Sequence, residues 1–460
     1  MTRRFIWFPA LLFIGVSAAH AQGPASEISA SDTAWLLTST ALVMLMTPAL
    51  AFFYGGLVRA KHTLNTMMMS FVSLGVAGML WALLGYSLAF GTGGAWLGDG
   101  SMALLRGVGL EAEGSIPHLL FMAFQGTFAV ITVALISGAV VERMRFPAYM
   151  LFIGLWVLFV YAPVCHWVWG GGWLAGLGAL DFAGGAVVHV NAGAAAVTAA
   201  LFLGPRRDYG RRALLPHHVP FVLLGAGLLW FGWFGFNGGS ALAADATAGL
   251  AFVNTMLAPA ATLVVWTMLD HFRTGKITAV GVATSIVVGL VAVTPAAGFV
   301  SPLSSMALGA LAALPSYFAI RWRTRTRLDD ALDVFAAHGL GGITGALLTG
   351  VFADAVRIGS TDGPLPALAT RFGIQALSVL AVFVYSGLLT FALLKTMSLV
   401  MAVRADDHAE RLGLDVVHHG EEAYSSGEGA LLLLDEEARP APAPVGAAPA
   451  PAWSARPRAL

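Results

Sequence analysis

Two histidines, His189 and His338, stand inside long apolar runs of the chain. Ionisable side chains at membrane depth are costly and mark conduction or transfer sites. The plain alternative, for either one alone, is a histidine hydrogen-bonded for packing. A neutral imidazole offers one donor and one acceptor, which suits a small neutral hydride, and two touching rings titrate as a unit. Asp181 is the acid that precedes the first of them, in the glycine-rich turn Gly178 to Gly185. Its type fits a counter-charge for a cation, a metal ligand, or a cap that satisfies backbone N–H groups. Aromatic residues gather nearby in sequence: Phe124, Phe128, Trp167, Trp169, Trp173, Trp230, Trp233 and Phe236. Tryptophans at span ends form interfacial belts, whereas a ring of aromatics makes a cage for a small cation. P-loop, HExxH, GxSxG, CxxC and paired-carboxylate signatures are missing. The reading is therefore of a protein that is not an enzyme, with no cofactor and no metal site.

These residues need a membrane to position them. Of 460 residues, 58% are hydrophobic and 11% charged, against roughly 25% charged in an average soluble domain. Mean hydropathy is +0.78. Too few charges exist to cover a water-soluble surface, which also excludes a disordered chain, a disulfide scaffold and a nucleic-acid binder. The one cysteine, Cys165, lies in an apolar run and reads as a buried thiol. Residues 1–21 read as a cleaved signal peptide: Arg3 and Arg4, an apolar stretch, then Ala19-His20-Ala21 before Gln22.

Eleven further apolar stretches are long enough to cross the bilayer. They lie near Thr33–Leu57, Leu64–Phe90, Pro117–Val141, Pro147–Gly170, Ala186–Leu203, Pro216–Phe236, Thr247–Leu269, Ile277–Thr294, Gly298–Ile320, Val334–Ala353 and Phe372–Val403. Alternate loops carry fourteen basic residues, among them Arg59, Lys61, Arg206, Arg212, Arg323 and Arg327, against three in the others, Arg106, Arg357 and Arg371. That bias sets the mature N-terminus outside and the C-terminus in the cytoplasm. Leu180-Asp181-Phe182 before His189 echoes Leu332-Asp333-Val334 before His338, five spans apart. The fold class is therefore an all-α polytopic membrane protein, eleven transmembrane helices with a five-plus-five inverted repeat and the site at the repeat interface. The transmembrane domain covers 22–403, a soluble segment 404–424, and a low-complexity tail 425–460 whose Ala/Pro tract reads as disordered.

Long strings within this frame resemble the ammonium transporter (Amt/Mep/Rh) family, in particular its bacterial Amt branch. They are Phe124-Gln-Gly-Thr-Phe128, Gly138-Ala-Val-Val-Glu-Arg-Met-Arg-Phe146, Trp169-Gly-Gly-Gly, the run Gly178 to Asn191, Trp233-Phe-Gly-Phe-Asn237, Val293-Thr-Pro-Ala-Ala-Gly298, Asp333-Val-Phe-Ala-Ala-His338-Gly and Gly413 to Tyr424. The resemblance implies the ammonium-transporter fold as a homotrimer with one pore per subunit, in the bacterial inner membrane. It implies that Trp169, Phe128 and Ser240, with Phe124 beside them, recruit ammonium at an outer site. Phe128 and Phe236 would form a stacked gate, and His189 and His338 the twin-histidine pair. Trp233 and Thr294 would line the pore, and Asp181 would serve deprotonation and site integrity. It further implies ammonium and ammonia as ligands, lipid around the helices, and a PII-type signalling protein at the cytoplasmic face. The continuation from Ser425 to Leu460 departs from the family's usual ending. Trp169 favours a high-affinity ammonium scavenger over an Rh-like NH3/CO2 gas channel. An ammonium sensor signalling through its tail and PII protein stands as a further reading.

The topology has a direct check. Reporter fusions placed after Arg212 and after Arg327 should both read cytoplasmic, and a periplasmic signal at either would overturn the span count.

Overall fold

The computed structural model describes residues 27–354 and 366–424. The expected signal peptide and the tail from 425 to 460 lie outside the described residues, as does Arg357. Ten helices among the described residues are long and apolar enough to cross a membrane. In chain order these and one shorter helix are α1 (Ala30–Leu57), α2 (Ala60–Phe90), α3 (His118–Val140), α4 (Phe146–Gly176), α5 (Gly185–Leu203), α6 (Val219–Gly239), α7 (Ala246–Thr274), α8 (Ala279–Val293), α9 (Pro302–Arg323), α10 (Phe335–Phe352) and α11 (Leu368–Met397). The shorter one is α8, with 15 residues, or about 22 Å of helix. All eleven apolar stretches thus become helices, with ends shifted by a few residues. A feature outside the all-α expectation is a hairpin of two-residue strands in the loop between α2 and α3, β1 (Ala112–Glu113) with β2 (Ile116–Pro117).

Glycine sets how closely the helices meet, because its missing side chain lets backbones touch. Helices α1 and α6 run antiparallel in contact along their length. A Cβ on Gly225 would lie 2.4 Å from the Phe53 nitrogen, one on Gly232 2.8 Å from the Leu42 carbonyl, and one on Gly239 2.6 Å from the Ser39 Cβ. The second close pair is α5 with α10. Gly193 stands one turn after His189, and a Cβ there would fall 2.3 Å from the Gly339 Cα. Gly342 stands one turn after His338, and a Cβ there would fall 2.9 Å from the Gly185 carbonyl and 3.0 Å from the His189 Cβ. Helix α11 packs across both α5 and α10.

Each histidine sits in a wide helical turn: Gly185–Val190 opens α5 and Phe335–Gly339 opens α10. Such turns loosen the hydrogen-bond ladder and recur at functional sites. Before each turn a residue takes the left-handed conformation, Gly184 at φ 113° and Asp333 at φ 59°. Before that stands a buried carboxylate that caps the helix start. Asp181 Oδ1 accepts the N–H groups of Gly184 at 2.8 Å and Gly185 at 2.6 Å, and Oδ2 those of Ala186 at 2.8 Å and Val187 at 3.0 Å. Asp330 Oδ2 accepts the Phe335 N–H at 2.7 Å, while its Oδ1 is buried without a partner. Asp181 and Asp330, Gly184 and Asp333, Gly193 and Gly342 all share the 149-residue separation of the two histidines. The repeat is therefore real, but its register differs from the sequence echo. Asp330 is the partner of Asp181; Asp333 instead turns its carboxylate to Arg323 at 2.5 Å.

At the basic end the loops are tied by buried ion pairs. Glu142 binds Arg59 at 2.7 Å and Arg206 at 3.4 Å, and Asp329 binds Arg206 at 2.9 Å. The segment after α11 folds back onto them as α12 (Asp407–Leu412) and α13 (Leu414–His419). Asp415 accepts the Leu64 and Asn65 N–H groups at 3.0 and 2.8 Å. Arg404 pairs with Glu410 at 2.7 Å.

The two caps respond differently to neutralisation. Burial and the neighbouring Asp333 push the Asp330 carboxyl up to about 6. A carboxyl raised in the fold stabilises it in the protonated form, and that contribution is lost as pH rises through 6. Asp330→Asn should therefore leave the melting temperature at neutral pH unchanged or raised, and flatten its pH dependence between about pH 4 and 6. Burial raises the Asp181 carboxyl too, against the pull of its four N–H bonds. There an amide NH2 would face two N–H donors, so Asp181→Asn should destabilise by roughly 3 kcal/mol. Thermal unfolding of the two variants in detergent across this pH range checks both, and equal behaviour would contradict the cap geometry.

Candidate functional site

A pocket of 410 Å³, called the outer pocket after the orientation expected from the sequence, opens above the paired helices, lined by Phe128, Trp169, Asp181, Ser240, Gln125 and Phe121 among others. Trp169 enters its wall because the α4 helix breaks there: Gly171 takes φ 79°, and the indole N–H donates to the Asp181 backbone carbonyl at 2.8 Å. The Trp169 ring stands edge-on to Phe128, centroids 5.8 Å apart at 88°. The Ser240 hydroxyl donates to the Phe236 carbonyl at 2.8 Å, which leaves its oxygen lone pairs as acceptors toward the pocket. Two aromatic faces, a hydroxyl acceptor and a buried carboxylate make a place for a small N–H cation. Asp181 does not reach in as a free ligand, since all four of its acceptor directions are taken by backbone. Its charge remains at the pocket wall.

The floor of the pocket is Phe128 against Phe236, ring centroids 4.3 Å apart at 37°. Below it the space narrows to 10 Å³, lined by Phe236, His189, His338, Trp233, Ile131 and Leu229 among others. That is no more than about one water. His189 Nδ1 lies 3.3 Å from His338 Nδ1, with the rings 5.4 Å apart and nearly parallel at 21°. One proton serves that contact: one ring donates through Nδ1, the other accepts there and carries its N–H on Nε2. The two Nε2 atoms are thus unlike, one donor and one acceptor, and they exchange roles only when a proton arrives at the bare Nε2, the shared proton shifts across, and the other Nε2 releases its own. His189 Nε2 has no partner in the protein. Trp233 stacks on His189 at 5.4 Å and 19°, and its indole is anchored to Thr294 Oγ1 at 2.9 Å. His338 also borders a second pocket of 390 Å³ at the basic end, with Arg206, Arg212, Arg323 and Asp333 in its wall.

The structure brings together most of the residues singled out from sequence. Trp169, Phe128, Ser240 and Asp181 meet in the outer pocket, and Phe236, Trp233, His189 and His338 in the narrow segment. Phe124 packs behind Phe128 at 5.0 Å and against Gly239 rather than lining the pocket. Thr294 stands behind Trp233 as its anchor. Trp167 meets Trp96 edge-on and Trp173 meets it at a tilt, away from the pocket, and Trp230 donates to the Thr255 carbonyl. Gln125, Phe121 and Asp330 were not singled out. Only Asp330 had a usable signal, its spacing of eight residues before His338, equal to that of Asp181 before His189.

Comparison with known proteins agrees with this architecture. The Ammonium Transporter Family profile matches residues 34–424. An ammonium transporter of Aquifex aeolicus is 46% identical over 425 residues, covering 90% of this chain and 99% of that protein. Among solved structures, Saccharomyces cerevisiae Mep2 superposes with a TM-score of 0.80 at 35% identity, over 88% of this chain and 94% of the other. A structure described as a sensor Amt protein superposes with a TM-score of 0.80 at 28% identity, over 85% and 98%. With a family match that spans nearly all of the membrane domain and a relative this similar over its full length, the chain belongs to the ammonium transporter family.

Proposed function

We propose that the protein moves ammonium across the membrane by taking it up at the outer pocket, removing a proton, and passing ammonia along the twin histidines to the opposite pocket. The observation that carries this reading is the pair of roomy pockets joined by a dry, 10 Å³ segment with two imidazoles in contact. Moving a bare cation into a dry apolar passage costs tens of kcal/mol, and each cation–π contact returns about 0.5–2 kcal/mol. Trp169, Phe128 and Phe236 therefore concentrate and select the cation but do not carry it through. Loss of a proton removes the charge, and it excludes potassium, which has none to lose. The histidine pair offers the released proton a separate path through the shared Nδ1 contact.

In this reading the protein is a homotrimer in the bacterial inner membrane, with the outer pocket facing the periplasm. The segment 404–424, clasped to the basic end by Asp415 and Arg404, is the natural place for a PII-type protein to act. A sensor role is the second reading, supported by that docked segment and by the likeness to a sensor Amt protein. Growth of an uptake-deficient strain on limiting ammonium separates the two, since a pure sensor would not restore it.

The outer site has its own test. Trp169→Ala removes one wall of the cation cage and should raise the ammonium concentration for half-maximal current about tenfold, with expression unchanged. Unaltered uptake at limiting ammonium would return Trp169 to a membrane-belt role.

The histidines are tested by selectivity. A fixed carboxylate in His189→Asp stabilises a bare cation and admits water, so discrimination against potassium should fall. His338→Ala breaks the shared proton contact and should cut ammonium current by at least about tenfold while the protein still assembles. Ammonium and potassium currents recorded in the same liposomes decide the matter. Wild-type currents with continued potassium exclusion in both variants would sink the twin-histidine mechanism.

A further inference from the structure

We propose that the pocket at the basic end is a docking site for this chain's own segment 431–437, which closes the pocket when it binds. The pocket has a volume of 390 Å³. Its wall combines apolar groups, Phe53, Leu57, Leu214 and Pro216 among them, with the guanidinium groups of Arg206, Arg212 and Arg323. Such a wall suits a ligand that is apolar in one part and acidic in another. Arg206 is already held between Glu142 and Asp329, and Arg323 by Asp333. Arg212 and its neighbour Arg211 are exposed. Among the described residues no carboxylate lies within ion-pair distance of either. Two unpaired cations thus stand at an apolar pocket.

The position of Tyr424, the last described residue, points to the occupant. Its hydroxyl lies 3.0 Å from His217 Nε2, and its ring is parallel to that of His218, centroids 6.4 Å apart at 5°. The His217 and His218 N–H groups donate to the Val58 and Gly56 carbonyls at the end of α1. Pro216, next to His217 in the chain, is part of the pocket wall. The tail therefore leaves the folded segment beside the pocket. Its sequence continues Ser-Ser-Gly-Glu-Gly-Ala at 425–430, four leucines at 431–434, then Asp435, Glu436 and Glu437. A spacer rich in Gly and Ser behaves as a coil. The seven steps from Tyr424 to Leu431 span about 15 Å on average and about 25 Å at full stretch. The leucines are within reach of the pocket without any rearrangement of the segment that ends at Tyr424.

Segment and wall match in order as well as in kind. Passing back along the α5–α6 loop from His217, the chain meets Pro216 and Leu214 first, then Arg212 and Arg211. Passing outward from Tyr424, it meets the leucines first, then the three acids. Laid antiparallel, leucine falls on the apolar part and carboxylate on the unpaired guanidinium groups. Leucines that leave water for the apolar wall are stabilised, and carboxylates on arginine form charge-assisted hydrogen bonds. A short flexible tether makes the event intramolecular, at an effective concentration in the millimolar range, so modest contacts suffice. Anionic lipid headgroups also seek arginines, but a headgroup would leave the apolar wall uncovered. His338 borders this pocket, so the docked segment covers the inner end of the histidine pair. The effect on transport rests on the transport reading above; the docking does not.

Cross-linking in the full chain reads the docking directly. The native Cys165 is buried, so introduced cysteines report alone. In liposomes, Leu214→Cys with Leu432→Cys should form a disulfide within one chain on mild oxidation. No disulfide, or one that forms only between chains, overturns the proposal. A disulfide that disappears when anionic lipid is added assigns the arginines to headgroups and overturns it too. Reversing the tail charges with Asp435→Lys, Glu436→Lys and Glu437→Lys should cut the cross-link severalfold. The same reversal should raise maximal ammonium current at least about twofold, the gain expected for a pocket filled half of the time. Adding Arg211→Glu and Arg212→Glu to the three reversals should restore both values, which a loss of general charge would not do. An unchanged cross-link in the reversed tail overturns the charge match. If the loop variants fail to insert, the tail variants still decide, since they lie outside the membrane domain. If the cross-link forms and responds to charge while no tail variant alters the current, the docking stands and the transport path through this pocket fails.

Discussion

The contact on which the site depends is the close approach of α5 and α10, where Gly193 meets the Gly339 backbone and Gly342 meets the Gly185 carbonyl. Any side chain at either glycine would force the helices apart. With the helices this close, each histidine, one turn before its glycine, is carried against the other, and Nδ1 meets Nδ1 at 3.3 Å. Such an approach is available only to helices whose N-termini are already satisfied, because both begin at the edge of an apolar slab that supplies no water. That is the task of Asp181 and Asp330. The caps, the wide turns and the glycines form one device, used twice in opposite orientation.

The repeat also explains an asymmetry. Asp181 uses both oxygens on four backbone N–H groups; Asp330 uses one oxygen and leaves the other buried and bare. The same frame therefore provides a fully committed charge beneath the outer pocket and a proton-accepting carboxyl near the inner one, where burial and Asp333 hold it up to about 6. An inverted repeat with identical halves would be indifferent to direction. Here the two ends differ in charge: aromatic faces and a fixed carboxylate at one, arginines and a titrating carboxyl at the other.

Much of this was legible from the chain. Apolar runs located the stretches that become α1 to α11, and the histidines announced themselves by standing within those runs. The phenylalanine pair and the outer tryptophan came through resemblance, because single aromatics at span ends are indistinguishable from belt residues until a pocket is seen. The register of the repeat was misread because Leu-Asp-Phe and Leu-Asp-Val look alike, whereas the true match, Asp330 to Asp181, has dissimilar neighbours and is defined by which N–H groups it faces. Phe124 and Thr294 illustrate the same limit. Sequence placed them beside the site, but only packing shows that one backs a gate ring and the other anchors an indole.

The charges themselves follow a single rule along the path. In the proposed mechanism the outer pocket uses aromatic surface and a carboxylate to hold a cation where water still reaches it. In the narrow segment every lining group is apolar except two imidazoles and an indole N–H already bound to Thr294. Nothing there can replace the hydration of an ion, so a charge in transit must move as a proton between fixed nitrogens or not at all. In the proposed mechanism the shared Nδ1 contact relays a proton without a water: one arrives at the bare Nε2, the shared proton crosses, and the other ring releases its Nε2 proton. That release requires a proton acceptor on the far side. The 390 Å³ pocket bordered by His338 admits water and supplies one. On the proposed mechanism, selectivity and charge movement stem from the same property, a passage too dry for ions and just polar enough, at one point, for a proton.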